Sequence, residues 1–493
     1  MPEEHARDET ATPTTMDTDT AASVGGGMED EEYERKLVRK LDMNIVPVVM
    51  LLYLLSFLDR VNIGSARLYG LEEDLGLVGN QYQLAVSILF VTYLACELPG
   101  NLVLKKFTPR YYITFITLSW GTIATFTGLV QSYGGLLACR LLLGVVEASL
   151  FPGLAVYLTL FYTKGELALR IGYLFVSAAL AGACGGLLAY AIGFMDGTAG
   201  MRGWRWILII EGIPTVIMGV VTFFILADDP DTAWYLTEEE RQFCIKRLGR
   251  EAEATASARQ FHWTDVRKCF TDWKTYFFAA ALFGMDTMLY GYSTFLPTII
   301  KSIGGTAWSN AQVQALTIPC YALGAITYLI VARLSDRHQK RGLYTIIFAA
   351  VSMIGYGVLL ADASAGVHYF GCFLVAMGLY VAVGLPLAWL PNNSPRYGKR
   401  TAATGFQLTC GNAAGVMAPF LYPNTDGPRF TKGHAVSLAM VGFAAVMYSI
   451  LWAALAKLNR DREQGKEDWK LEGKTWEEVA EMGDESPRYK YTV

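Results

Sequence analysis

The sequence predicts an all-α membrane protein of twelve transmembrane helices in two six-helix halves. Three observations predict it. Of 493 residues, 53% are hydrophobic and only 17% charged, against about 25% charged in an ordinary soluble protein. Long apolar blocks, each near the roughly 20 residues that cross a bilayer core, recur almost end to end. One charged interval, residues 228–274, separates six blocks from six.

In the first half the blocks begin near Asn44, Gln81, Tyr111, Gly134, Leu169 and Gly203. In the second they begin near Thr275, Asn310, Leu343, Val367, Thr401 and His434. The expected organisation is a disordered N-terminal tail (1–34), a first half (35–227), a linker with a short surface helix (228–274), a second half (275–458) and a C-terminal tail (459–493). Lys and Arg of the short loops gather on the side shared by both termini, which predicts cytoplasmic ends. The tail has neither the basic start and apolar run of a signal peptide nor the Arg-rich, acid-poor make-up of a transit peptide, so the first hydrophobic helix is expected to do the targeting. Gly182 and Gly186 in the fifth span, and Gly411 and Gly415 in the eleventh, share GxxxG spacing that lets helices approach closely.

Net charge is −4, so no basic field recruits nucleic acid. The eight cysteines form no CxxC pair and mostly lie inside apolar blocks, where they behave as small hydrophobes. No metal-ligand cluster, nucleophile motif or phosphate loop stands in the sequence, which argues against an enzyme. No cofactor is expected.

Ionisable groups inside hydrocarbon are costly and mark pathways or pairs. Asp59 and Arg60 fall about fifteen residues into the first span, roughly 22 Å deep. Arg140 and Glu147, seven residues apart in the fourth span, share a helix face about 10 Å apart along the axis. An arginine fork suits a carboxylate, and a buried acid can carry a proton. Arg60 and Arg140 are therefore candidate substrate ligands, Asp59 and Glu147 candidate proton carriers; two structural ion pairs are the alternative. Glu97 reads as a helix-end or gating contact, Arg205 with Glu211 as a structural pair, and Asp286 as a group that could pair with a basic loop. Tyr53, Tyr157, Tyr290, Asn393, Gln407 and Asn412 are candidates for holding an aromatic or amide-bearing ligand, with Tyr93, Tyr292 and Trp389 beside them.

With these residues in view, the chain resembles the major facilitator superfamily in its anion:cation symporter branch. The Asp59–Arg60 pair, RLLLGVVEASLFPG and ALRIGY carry the likeness, which spans about Arg35 to Lys457. YGYSTFLPTIIKSIG, AQVQALTIPCYALGA and the linker stretch FHWTDVRKCFTDWKTY resemble the fungal allantoate and nicotinic acid permeases. The resemblance implies arginines that contact substrate carboxylate, acids that carry protons, and a gate network of Asp336, Arg337 and Arg341 in ARLSDRHQKR. The matching first-half loop lacks the Asp but keeps Lys105, Lys106 and Arg110.

The expected activity is proton symport of a small organic anion, nicotinate or allantoate in type, driven by the proton gradient in the plasma membrane. The lipid bilayer is the other partner, and one chain holds both halves of a cavity, so a monomer suffices. Export of an acidic metabolite is the main rival. A non-transporting nutrient sensor is a weaker one, because the tail after Lys457 carries no long folded extension.

Overall fold

The structure, a computed structural model, describes residues 18–104, 107–253, 263–475, 478–479 and 482–493. The described residues are helical and contain no strand. The long helices of the first half are α1 (Thr18–Leu68), α2 (Gln81–Leu104), α3 (Pro109–Thr127), α4 (Tyr133–Glu147) with α5 (Leu150–Thr159), α6 (Lys164–Gly193) and α7 (Gly203–Ile225). Two linker helices follow, α8 (Glu238–Glu253) and α9 (Trp263–Thr271). The second half comprises α10 (Trp273–Gly304), α11 (Asn310–His338), α12 (Arg341–Leu360), α13 (Ala365–Asn392), α14 (Tyr397–Met417) and α15 (Thr431–Glu463). Among the described residues, eight spans are long and apolar enough to cross a membrane on those grounds alone. The α14 stretch is more polar, carrying Gln407 and Asn412.

Two details differ from expectation. Helix α1 already includes residues 18–34, part of the stretch expected as a tail, while residues 1–17 lie outside the described residues. Acidic residues near its start and the Lys36–Glu32 pair at 2.8 Å favour helix there. The fourth span is broken: α4 stops at Glu147 and α5 starts at Leu150. Pro152 has no N–H for the Ala148 carbonyl, so the helix cannot run straight through.

The linker's two helices serve different halves. On α8, Arg247 pairs with Glu166 at 2.9 Å, and Glu240 with Lys40 of α1 at 2.6 Å. On α9, Asp265 accepts from Arg396 Nε at 2.7 Å. Phe261 and His262 of the quoted linker stretch lie outside the described residues, as do Lys105 and Lys106.

The chain's end is folded rather than loose. Asp484 is buried and accepts from Lys274 at 2.7 Å and Lys399 at 2.8 Å, joining the starts of α10 and α14. Tyr491 and Asn459 exchange main-chain and side-chain bonds, and the Thr492 carbonyl accepts from Trp389 Nε1 and Asn393 Nδ2. Burial raises the Asp484 carboxyl, but the two ammonium groups outweigh it and hold it below the usual carboxylate range. A carboxylate depressed in the fold contributes stability above its ordinary value of 3.8 and loses it as pH falls through the folded value. Asp484→Asn should therefore cost about 3–5 kcal/mol locally and expose residues 482–493 to protease at neutral pH. Wild-type protection should fail only below about pH 4. Equal protection of the two chains across that range would show that the charge does not hold the tail.

The halves are stitched together at the end remote from the termini. Asn310 Nδ2 donates to the Leu68 carbonyl at 2.7 Å, and Ser87 to the Val416 carbonyl at 2.9 Å. Arg67 pairs with Glu72 at 3.0 Å, bonds Asn424 of the other half, and stacks over Tyr82 at 4.5 Å and Phe295 at 5.6 Å. At Gly64 an added Cβ would strike the Thr294 carbonyl oxygen, so α1 and α10 touch backbone to backbone. The GxxxG lines serve the same boundary. Gly182 and Gly186 seat Tyr321 and Thr317 of α11, while Gly415 seats Phe90 of α2. The fifth span thus meets the eighth as the eleventh meets the second, the pairing a repeated-half architecture produces.

Candidate functional site

On the termini side of these contacts a central cavity, part of it open, lies between the halves. Its first-half wall carries Tyr53, Phe57 and Arg60 of α1, Tyr93 of α2, Phe151 of α5 and Phe175 of α6. Its second-half wall carries Asp286 and Tyr290 of α10, Tyr328 of α11, Tyr380 of α13 and Asn412 of α14. Tyr53, Phe151 and Phe175 form one aromatic face, with ring centroids 5.5–6.4 Å apart. Tyr290 donates to Asn412 Oδ1 at 2.7 Å and packs edge-on against Phe90. Flat apolar walls tipped with hydroxyls suit a small aromatic ligand.

The first-half wall holds an ion pair. Arg60 Nε donates to Glu147 Oε1 at 2.8 Å, and both side chains are almost wholly buried. The same oxygen accepts from the Ser56 hydroxyl, and the Arg60 guanidinium lies 4.9 Å from the Tyr93 ring centroid. Glu147 reaches this position because it ends α4 at the break, where Gly144 lets that helix press on Leu89 and Thr92 of α2. The charges therefore pair across helices rather than within them. Asp59, one residue before Arg60 and so turned about 100° away, accepts from Trp120 Nε1 inside the first half. Arg140 is buried behind the cavity wall, with Nε unpartnered among the described residues.

Of the residues singled out from sequence, Tyr53, Arg60, Tyr290 and Asn412 line the cavity, and Glu147 bonds its wall. Asp59 and Arg140 lie one layer deeper. Three others lie away from the cavity wall. Tyr157 sits below the helix break, beside Tyr235 and the Ala227 main chain. Asn393 is held by the main chain of Thr492 on both sides of its amide, at 3.0 and 2.8 Å, because the folded tail covers it. Gln407 is fully buried, with both amide atoms unpartnered among the described residues, and is absent from the cavity wall.

Across the turn between α11 and α12, Arg341 pairs with Asp336 at 2.8 Å, while Arg337 is exposed. In the first half, Arg110 stacks on Phe223 at 4.5 Å, and its N–H bonds Asp228. Arg205 pairs with Asp74 at 2.8 Å, not with Glu211, whose two carboxylate oxygens are buried without partners among the described residues. Glu97 is within reach of Thr409 and Asn412 of α14, a contact between halves rather than a helix end.

Asp286 is the wall residue that sequence reading left aside. Among the described residues it meets no basic group: it is 6% exposed, its Oδ1 has no partner there, and Gly411 makes room for its Oδ2. The signal was present in LFGMDTMLYGY, an acid flanked on both sides by apolar residues at mid-span.

A helical bundle with a central cavity, charged on both walls and closed at one end, has the architecture of a multi-pass membrane transporter. Residues 49–419 match the family model of the Major Facilitator Superfamily, and the chain belongs to that family. An uncharacterized transporter of Schizosaccharomyces pombe is 43% identical over 84% of this chain and 82% of its own. The high-affinity nicotinic acid transporter of Saccharomyces cerevisiae is 32% identical over 97% of this chain and 88% of its own. A major facilitator-type transporter of Emericella nidulans is 32% identical over 94% of each chain. Among solved structures, a bacterial homolog of the human lysosomal transporter Spinster shares the fold at TM-score 0.65 and 15% identity. It covers 84% of this chain and 97% of its own.

Proposed function

We propose that the protein is a proton-coupled symporter of a small organic anion, with nicotinate or a related monocarboxylate as substrate. It would work in the plasma membrane with both termini in the cytoplasm. The observation that carries this reading is the buried Arg60–Glu147 pair on the cavity wall. In the resting carrier Glu147 occupies the guanidinium. A proton arriving on Glu147 releases Arg60, whose fork then takes the substrate carboxylate in its place. One proton and one anion enter together, and the wall stays electrically balanced, so the loaded carrier can turn. Asp59 and Arg140 form a second acid–base couple behind the wall and set how strongly Arg60 and Glu147 hold each other. Asp336 and Arg341, with Arg337, act in the gate at the termini end. The nicotinic acid transporter among the relatives supports the choice of substrate.

The test is uptake of labelled nicotinate by cells expressing the chain, at acidic and neutral external pH, with and without an uncoupler. Saturable uptake should rise with acidity, collapse with the uncoupler and be competed by unlabelled organic anions. Efflux of an acid without nicotinate uptake would favour an exporter and remove the substrate assignment.

A further inference from the structure

The cavity has a second charged pole that the symport cycle above does not use. Asp286 lies on the second-half wall, nine-tenths buried, with Oδ1 unpartnered. Among the described residues it has no hydrogen bond or ion pair, although an uncompensated carboxylate at this depth is costly. Arg60, on the facing wall, is the cationic pole. Tyr53 and Tyr290 each lie within electrostatic range of both poles, so Arg60 and Asp286 share one chamber lined by aromatic rings.

A ligand with only a carboxylate would satisfy Arg60 and leave Asp286 facing an apolar edge. A ligand with a proton-bearing nitrogen opposite its carboxylate would satisfy both ends, with its ring between the tyrosines. We infer that Asp286 is the specificity residue of the carrier. It accepts a hydrogen bond from a protonated ring nitrogen, and the substrate class is aromatic carboxylates carrying such a nitrogen. The complex balances: ring N–H⁺ faces the Asp286 carboxylate, the substrate carboxylate faces Arg60, and no bond to carbon changes. This inference rests on the anion-carrier reading and adds the second point of recognition.

The experiment is competition binding on the purified full-length transporter at mildly acid pH, where a pyridine nitrogen carries a proton. The probes are labelled nicotinate, with benzoate and nicotinamide as competitors. Benzoate keeps the ring and carboxylate but lacks the nitrogen; nicotinamide keeps the nitrogen but lacks the carboxylate. Wild type should prefer nicotinate to benzoate by roughly tenfold or more, the value of one buried charge-assisted hydrogen bond. Asp286→Asn should remove that preference by weakening nicotinate alone, with benzoate binding unchanged and so reporting an intact fold. Nicotinamide should compete poorly in both. Equal binding of nicotinate and benzoate by wild type overturns the Asp286 assignment and leaves the anion carrier standing. Equal weakening of both acids by Asp286→Asn also overturns it, placing the residue in the conformational cycle. Failure of wild type to bind either acid removes the anion-carrier reading, and this inference with it.

Discussion

Glu147→Gln is expected to abolish accumulation of substrate against its gradient while leaving exchange of substrate for substrate. The amide keeps the size of the side chain and an oxygen for Ser56 and Arg60, both of which donate to Glu147 Oε1. It removes the charge, so it imitates the protonated carrier. Arg60 is then held by a neutral group, and a substrate carboxylate can win the guanidinium at any pH. Binding and exchange persist, but the carrier no longer needs a proton to turn, and the external pH dependence of uptake flattens. Reconstituted liposomes with an imposed pH gradient separate the two activities. Wild-type accumulation by the variant would exclude Glu147 as the coupling group. Loss of exchange as well would make it a substrate or folding residue.

The second large effect is expected at Gly64. A Cβ there meets a main-chain carbonyl, that of Thr294, and neither helix can yield by turning a side chain. Gly64→Val should penalise closure of the far end by about 1–3 kcal/mol, which moves the open–closed balance roughly 5- to 150-fold. Transport should fall by a similar factor because closure must recur in every cycle. Ser65, buried and bonded to Gln314 across the same seam, provides the readout. A Ser65→Cys thiol should react faster with a membrane-impermeant reagent from the face opposite the termini when Gly64 is Val than when it is Gly. Gly64→Ala tests the same clash with the smallest side chain. Unchanged labelling and transport in both variants would mean that this seam is not a gate.

The fold was legible because hydrocarbon imposes one rule on every span: helix starts at Gln81, Gly203 and Asn310 coincide with the block starts read from sequence. Charges were legible for the same reason, since Arg60, Arg140 and Glu147 stand out against apolar neighbours. Their partners were not. Which residue faces which depends on helix rotation and on the break before Pro152, and neither is written in spacing along one helix. Tyr157 was misplaced by that break, and Asn393 by a tail whose folding depends on Lys274 and Lys399, far away in sequence. Gly64 reads as one more small residue until α10 is laid against it.

The folded tail has a practical side. With the Thr492 carbonyl bonded to Trp389 and Asn393, Val493 packs against the buried core beside the second half's helix ends. A fluorescent protein or affinity tag fused directly to Val493 would tug on those ends, and a reporter meant only to follow the carrier would change it. A spacer after Val493, or a tag ahead of the first span, would avoid that strain.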